Sequence, residues 1–508
     1  MFRWGFLFLL VFFIGKTHAL TPSPTASPQK WRNLTQIAYV GYSVDLSDDG
    51  SIFVIGGPVD GEGKGAVWIY KWNDVDQQWV QQGDKLVGNS TSETGLEGIS
   101  VSISGDGKTI AFGSQGQDFQ TTGAWVATQQ GNPNGPWVIQ DGPINCVEEY
   151  EISGGGFQSE VALSGDGMRL AISIDIDQED DGGILCVMDY NTETGKWHSH
   201  QGIVTASPAI GFSVAISSDG NVVASGNPLN NGGVGSFAVF VRNTTTNIWT
   251  QQGGTLVGQQ GEYEGPIDSG IVYQGLSLAL SANGSILIVG APGVGYEFND
   301  EEPDWPGTVW VFKRHHGTGN WTQMGTVIYS PLEEFNGFGY SVSVSADGRT
   351  FAAGAPNHAN GKGGAFVYIN QPGIGWVANT SVLVGYSPHE YETIDDAQGT
   401  GIGLSANSSR VIVGAFGDNH QIGAAYAFER LSNLTYVQQG PRLVPIETYT
   451  DSPTLFAAPT TSPVPAPPSP PSAAPLSIPT SSPTSSALRL SVSLTIVVIC
   501  IVCFLTLV

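Results

Sequence analysis

The chain is 508 residues long, with 68 Gly, four Cys and 40% hydrophobic residues, and it carries 45 Asp and Glu against 19 Lys and Arg, a formal net charge of −26. A surface this acidic repels nucleic acid and anionic lipid, so neither is expected as a partner of the folded part; cations, basic partners or plain solubility remain as what the charge serves. Four cysteines are too few to staple a chain of this size, so its core has to come from buried apolar surface.

In chain order, Met1–Leu20 reads as a secretory signal peptide. Arg3 stands near the start, the apolar run Gly5–Ile14 is too short to span a bilayer, and Thr17-His18-Ala19 is a small-x-small site with cleavage expected after Ala19. Trp31–Ile37 resembles an outer strand without a blade of its own, placed to close a ring against the last repeat. One phrase then recurs: SVDLSDDG (Ser43–Gly50), SVSISGDG (Ser100–Gly107), EVALSGDG (Glu160–Gly167), SVAISSDG (Ser213–Gly220), SLALSANG (Ser277–Gly284), SVSVSADG (Ser341–Gly348) and a degenerate GIGLSANS (Gly401–Ser408), at intervals of 53 to 64 residues. Self-similarity at a near-fixed period marks a repeat architecture.

Each copy continues in one order. The alternation of Val44 and Leu46 with Ser43, Asp45 and Ser47 predicts a strand a, and Asp-Gly or Asn-Gly a tight hairpin turn. A continuous apolar run, Ile52–Ile55 or Ile286–Val289, predicts a strand b buried on both faces and stopped by Gly-x-Pro. Strand c follows (Ala66–Trp72, Ser236–Val241, Thr308–Lys313, Ala365–Ile369), and strand d opens on an aromatic (Trp79, Trp249, Tyr436). A β-helix coil is far shorter than this period, and isolated four-stranded sheets would leave a hydrophobic face wet. The expectation is therefore an all-β chain, a seven-bladed β-propeller of four-stranded antiparallel blades over residues 31–446.

Antiparallel order places the d–a and b–c connections of every blade on one face and the a–b and c–d turns on the other. The first set is long and acidic and presents aromatics, so the candidate ligand-binding residues are taken from it: Tyr263, Tyr296, Asp304, Trp305, Tyr391 and Asp395. Asp175, Asp177 and Asp181, with Glu179 between them, offer hard oxygens that suit Ca²⁺, but the distal bidentate Glu of a wrapping loop is missing. The primary expectation there is a solvated acidic loop and no cofactor. The pairs His198/His200 and His315/His316 have no Cys or carboxylate at zinc-like spacing and read as surface residues.

From 452 to 487 the chain turns to Pro, Ser, Thr and Ala and reads as an extended stalk; 488–508 is an uncharged apolar segment, either a transmembrane helix or the signal for a GPI anchor. Both place the propeller at the outer face of the plasma membrane. Eight N-x-S/T sequons, at Asn33, Asn89, Asn243, Asn283, Asn320, Asn379, Asn407 and Asn433, fit that compartment. Cys146 and Cys186 are expected to form a disulfide, since Cys500 and Cys503 fall in the apolar segment.

GFGYSVSVSADGRTFAAGAP (Gly337–Pro356) and GLSLALSANGSILIVGAP (Gly275–Pro292) resemble the FG-GAP repeats of integrin α-chain propellers, with Phe338-Gly339 and Gly354-Ala355-Pro356 as the name motif, over about Gly41–Pro445. The resemblance implies a propeller ectodomain. The Ca²⁺ loop often found between strands a and b in such repeats is replaced here by tight turns such as Ser47-Asp48-Asp49-Gly50, so Ca²⁺ there is not implied. The SxDG phrase is also similar to repeats of TolB-like and lactonase-like propellers. No nucleophile elbow, HExxH or P-loop occurs. The function expected from sequence is a cell-surface binding or adhesion module for an extracellular glycan or protein, not an enzyme, with a propeller hydrolase or lyase acting on polysaccharide as the alternative.

Overall fold

The computed structural model describes residues 31–33, 36–88, 94–116, 122–131, 135–144, 157–175, 183–207, 209–259, 272–293, 307–315, 317–332, 336–379, 382–386 and 396–448. They form seven successive antiparallel blades in the order a-b-c-d. The first is Ser43–Leu46, Ile52–Gly57, Ala66–Asn73 and Gln78–Gln81, and the seventh is Gln398–Leu404, Arg410–Ala415, Ala424–Arg430 and Tyr436–Gln438. Strand b is buried along its whole length in Ile52–Gly57, Val222–Asn227 and Ile286–Ala291, as its unbroken apolar run requires.

The repeated phrase acquires a mechanical meaning. In the first turn the Ser47 hydroxyl donates to Asp49 Oδ1 at 2.7 Å and accepts from the Ile52 N–H at 3.0 Å, while the Ser51 N–H donates to the same Asp49 oxygen at 2.8 Å. The pairs Ser164/Asp166, Ser217/Asp219 and Ser345/Asp347 repeat this lock. The acids of the phrase thus hold turns, an Asx-type use of the side chain.

Seven hydrophobic clusters hold the molecule, each between one blade and the next. Ile52, Val54, Val67 and Ile69 of blade 1 meet Val101, Ile110, Phe112 and Trp125 of blade 2. Ile412, Ala425, Ala427 and Leu443 of blade 7 meet Phe53, Trp68 and Tyr70 of blade 1, which closes the ring. Trp68, Trp125, Trp310 and Tyr426 occupy one position on strand c and are fully buried; each contributes about 3 kcal/mol or more through its buried area. The Leu-Val-Gly phrase after strand d serves the same interface. A Cβ on Gly258 would come within 2.5 Å of the Trp310 ring of the next blade.

The two halves of the FG-GAP resemblance also meet between blades. A Cβ on Gly354 would stand 1.9 Å from the carbonyl oxygen of Gly399, which opens the next inner strand, and Gly339 itself holds φ +89°. The expected closing strand differs from its reading: Trp31–Asn33 pairs antiparallel with Ile446–Thr448 as a separate two-stranded ladder, and blade 7 has its own strand d. Gln81 of blade 1 fastens that ladder, with its amide bonded to both the N–H and the carbonyl of Ile446. Among the described residues no helix is long and apolar enough to cross a membrane. The signal peptide, the stalk and the C-terminal apolar segment lie outside them.

Candidate functional site in the central channel

The inner strands abut in a closed circle, from Ser43–Leu46 through Gln398–Leu404 and back. They surround an axial channel whose two ends differ. At one end the a–b turns are stitched together by their backbones. The Asp48 N–H donates to Gly105 O at 3.0 Å, Gly165 to Ser218 at 2.9 Å, Asp219 to Ala282 at 3.0 Å, Ala282 to Ala346 at 3.1 Å, Ala346 to Ala406 at 2.9 Å, and Ala406 back to Asp48 at 3.0 Å. Hydrogen bonds from turn to turn draw that end of the inner ring together. The other end, where the d–a and b–c connections lie, is the mouth.

Three side chains from non-neighbouring blades meet there. The Tyr42 hydroxyl (blade 1) is hydrogen-bonded to that of Tyr340 (blade 6) and lies within electrostatic reach of Glu160 (blade 3). Groups of blades so spaced come near one another only around the axis, which sets these three beside the channel. Glu160 accepts from Gln158 Nε2 at 2.9 Å and is bonded to the Ser100 hydroxyl, which also takes the Val161 N–H at 3.1 Å. Among the described residues it has no ion-pair partner. Burial pushes its carboxyl up to about 7, against the opposing pull of those two hydrogen bonds. Burial and the nearby Glu160 push the Tyr42 phenol up to about 12. The mouth therefore presents two phenols and a carboxyl that burial raises to about 7.

Asp45 is a different case. Its Oδ2 accepts from the Ile103 N–H at 2.9 Å and the Ser102 hydroxyl at 3.2 Å, and its Oδ1 from the Leu46 N–H at 2.8 Å. Ser102 and Ser343 make the same stitch to the next inner strand, to Leu163 and Leu404. Asp45 is thus a seam residue, although burial raises it to about 6.

The candidate ligand residues Tyr263, Tyr296, Asp304, Trp305, Tyr391 and Asp395 lie outside the described residues, as do Asp177, Glu179 and Asp181. Asp175 ends strand b of blade 3 and is paired in the ladder with Gln158, the donor to Glu160. Among the described residues no group of three or more His, Cys, Asp or Glu is arranged to hold a metal ion. Cys186 is fully buried and disulfide-bonded; Cys146, its expected partner, is outside the described residues. Tyr42, Tyr340 and Glu160 were not among the sequence candidates. Their one visible signal is that the third copy of the phrase alone opens on an acid.

No protein-family model and no curated protein matches the chain. Among solved structures it is similar to a putative 6-phosphogluconolactonase from Bacteroides uniformis, at 14% identity, TM-score 0.48, covering 78% of this chain and 98% of that one. It is similar as well to a putative 6-phosphogluconolactonase from Bacteroides fragilis, at 13% identity, TM-score 0.49, covering 78% and 97%. The GH74 xyloglucanase of Xanthomonas campestris is similar at 12% identity, TM-score 0.48, covering 82% of this chain and 56% of that one. These likenesses are of fold and give this chain no reaction. They do correct the expectation that the chain is no enzyme, because propellers named as lactonases and a xyloglucanase stand among its structural neighbours.

Proposed function

We propose that this protein is a cell-surface propeller of FG-GAP type that takes an uncharged, hydroxyl-rich chain, an extracellular glycan, into the mouth of its central channel. The observation that carries the reading is the hydrogen bond between Tyr42 and Tyr340 with Glu160 within electrostatic reach, three groups from non-neighbouring blades set around the axis. Phenols and a protonated carboxyl are neutral hydrogen-bonding groups, and aromatic faces suit sugar rings. An anionic chain would meet a molecule of net charge −26. A protonated carboxyl near pH 7 is also the kind of group that donates a proton to a glycosidic oxygen, which favours cleavage of the bound glycan as a second reading.

The test is a glycan array probed with the full chain, followed by incubation of each hit and analysis for shortened products. Tyr42→Phe with Tyr340→Phe should weaken retention about tenfold, the loss of about one hydrogen bond's net contribution. Glu160→Gln should leave retention in place and abolish any product release. Hits unaffected by all three substitutions would sink the reading, and selective capture of a protein partner would replace the glycan. Surface staining of the tagged chain, with and without a phosphatidylinositol-specific phospholipase, tests the location and separates a GPI anchor from a membrane helix.

A further inference from the structure

We infer that N-glycans, where the chain is glycosylated, cover the turn face of blades 4, 5 and 7, with Asn243, Asn283, Asn320, Asn407 and Asn433 as the acceptors and Asn379 unmodified. This rests on the reading that the chain enters the secretory pathway. The a–b and c–d turns lie at one end of each blade: the backbone N–H groups of Arg242, Arg314, Asn370 and Arg430, at the ends of strands c, donate to Asn221, Ser285, Arg349 and Ser409, just past the a–b turns. Asn283 and Asn407 stand in the a–b turns of blades 5 and 7. Asn243, Asn320 and Asn433 stand in the c–d turns of blades 4, 5 and 7. All five are exposed.

Four of them share one geometry. Oδ1 accepts from the N–H two residues on, at Thr245 (2.9 Å), Ser285 (3.0 Å), Ser409 (2.9 Å) and Thr435 (3.1 Å). The turn therefore occupies the side-chain oxygen and leaves the amide nitrogen turned to solvent. Asn73 and Asn191 use the same geometry in blades 1 and 3, through Val75 and Glu193, but those residues are neither Ser nor Thr two positions on, so these turns are not sequons. Asn379 is half-buried, and its Nδ2 donates to Leu434 O at 2.5 Å, a contact between blades 6 and 7.

The modification joins C1 of an oligosaccharide, carried on a lipid pyrophosphate, to the Asn Nδ2; the C1–O bond breaks, the pyrophosphate leaves, and the amide gives up one proton. The experiment is secretion of the full chain from a eukaryotic cell, enzymatic release of N-glycans in heavy-oxygen water, and peptide mass spectrometry. The expected map marks the five turn asparagines and leaves Asn379 unmarked. An unmarked majority of the five, or a marked Asn379, would overturn the inference. In a second arm, Asn283→Asp with Asn407→Asp keeps the turn, as Asp49 and Asp347 do, so two glycans should go while Tm holds. That double variant should leave array retention unchanged, because these two glycans stand at the end of the channel away from its mouth; a loss of retention would also count against the inference. The peptide map reads out even if no array glycan is retained, so the two readings fail separately.

Discussion

Glu97 should cost this fold stability at neutral pH, and replacing it with Gln should return it. Three blades carry a long polar residue at one buried position before or at the start of strand a: Glu97, Gln274 and Gln398. Gln274 takes the Gly258 N–H at 2.6 Å and donates to the Gly258 carbonyl at 3.1 Å, and Gln398 treats Gly385 the same way at 2.6 and 3.1 Å. Glu97 accepts the Gly88 N–H with Oε2, but its Oε1 is buried with no partner, where the glutamines have their donor. An ionised carboxylate has no proton for a facing carbonyl; a protonated one does. Burial accordingly pushes Glu97 from 4.5 up to about 7, against the pull of the Gly88 hydrogen bond and the Lys64 charge.

A raised carboxyl leaves stability whole below its unfolded pKa and withdraws it as pH climbs through the folded one. The window therefore runs from 4.5 to about 7. At ~1.4 kcal/mol per pH unit the full cost is about 3 kcal/mol. With an unfolding entropy of ~2.1 cal/mol/K per residue, Glu97→Gln should raise Tm by roughly 3–4 °C at about pH 8 and hardly at all at about pH 4. Gln274→Glu should show the mirror image, a loss confined to the higher pH. Calorimetry of wild type and both variants at the two pH values decides it. An equal gain at both pH values, or none at the higher one, would refute the protonated amide-mimic account.

Three further outcomes follow from the same structure. Retention of an array glycan should fall as pH rises through about 7, where Glu160 loses its proton, and Glu160→Gln should flatten that profile; a pH-independent wild type would remove Glu160 from the contact. Gly354→Ala forces a Cβ against Gly399 O and should cost ~3 kcal/mol in urea denaturation, whereas Gly373→Ala, with nothing near its Cβ but φ +80°, should cost ~1 kcal/mol. Reducing the Cys186 disulfide should lower stability by ~2–4 kcal/mol, and peptide mapping without reductant should link Cys186 to Cys146; a different partner would contradict the sequence reading.

The blades were legible because each depends on local chemistry stated seven times. Ser47 with Asp49 announces a locked turn, the unbroken run at Ile52 a strand buried on both faces, and Trp79 the start of strand d. Terminal pairing was only half legible: Trp31–Asn33 has strand composition, but its partner, Ile446–Thr448, is chosen by ring closure, a contact set by the whole circle. The meeting of Tyr42, Tyr340 and Glu160 was not legible for the same reason. Their positions along the chain say nothing of distance across an axis until the blades are counted and closed.

What a repeat conceals in its regularities it discloses in its exceptions, and three acids here stand where other blades place neutral residues. Asp45 takes a slot held by Ser102 and Ser343 and commits one oxygen to the seam between inner strands and the other to the N–H of Leu46 on its own strand. Glu97 takes a slot held by Gln274 and Gln398 and is sealed from solvent. Glu160 takes a slot where Ser43, Ser213, Ser277 and Ser341 donate to a glycine carbonyl of the next blade. It is bonded instead to Gln158 and Ser100, with the phenol of Tyr42 across the channel. All three carboxyls are raised by burial, so the raised pKa by itself does not single out a site. The setting does: Glu160 lies within electrostatic reach of the Tyr42 phenol two blades away, whereas Asp45 is bonded within its own inner strand and to the next, and Glu97 to Gly88.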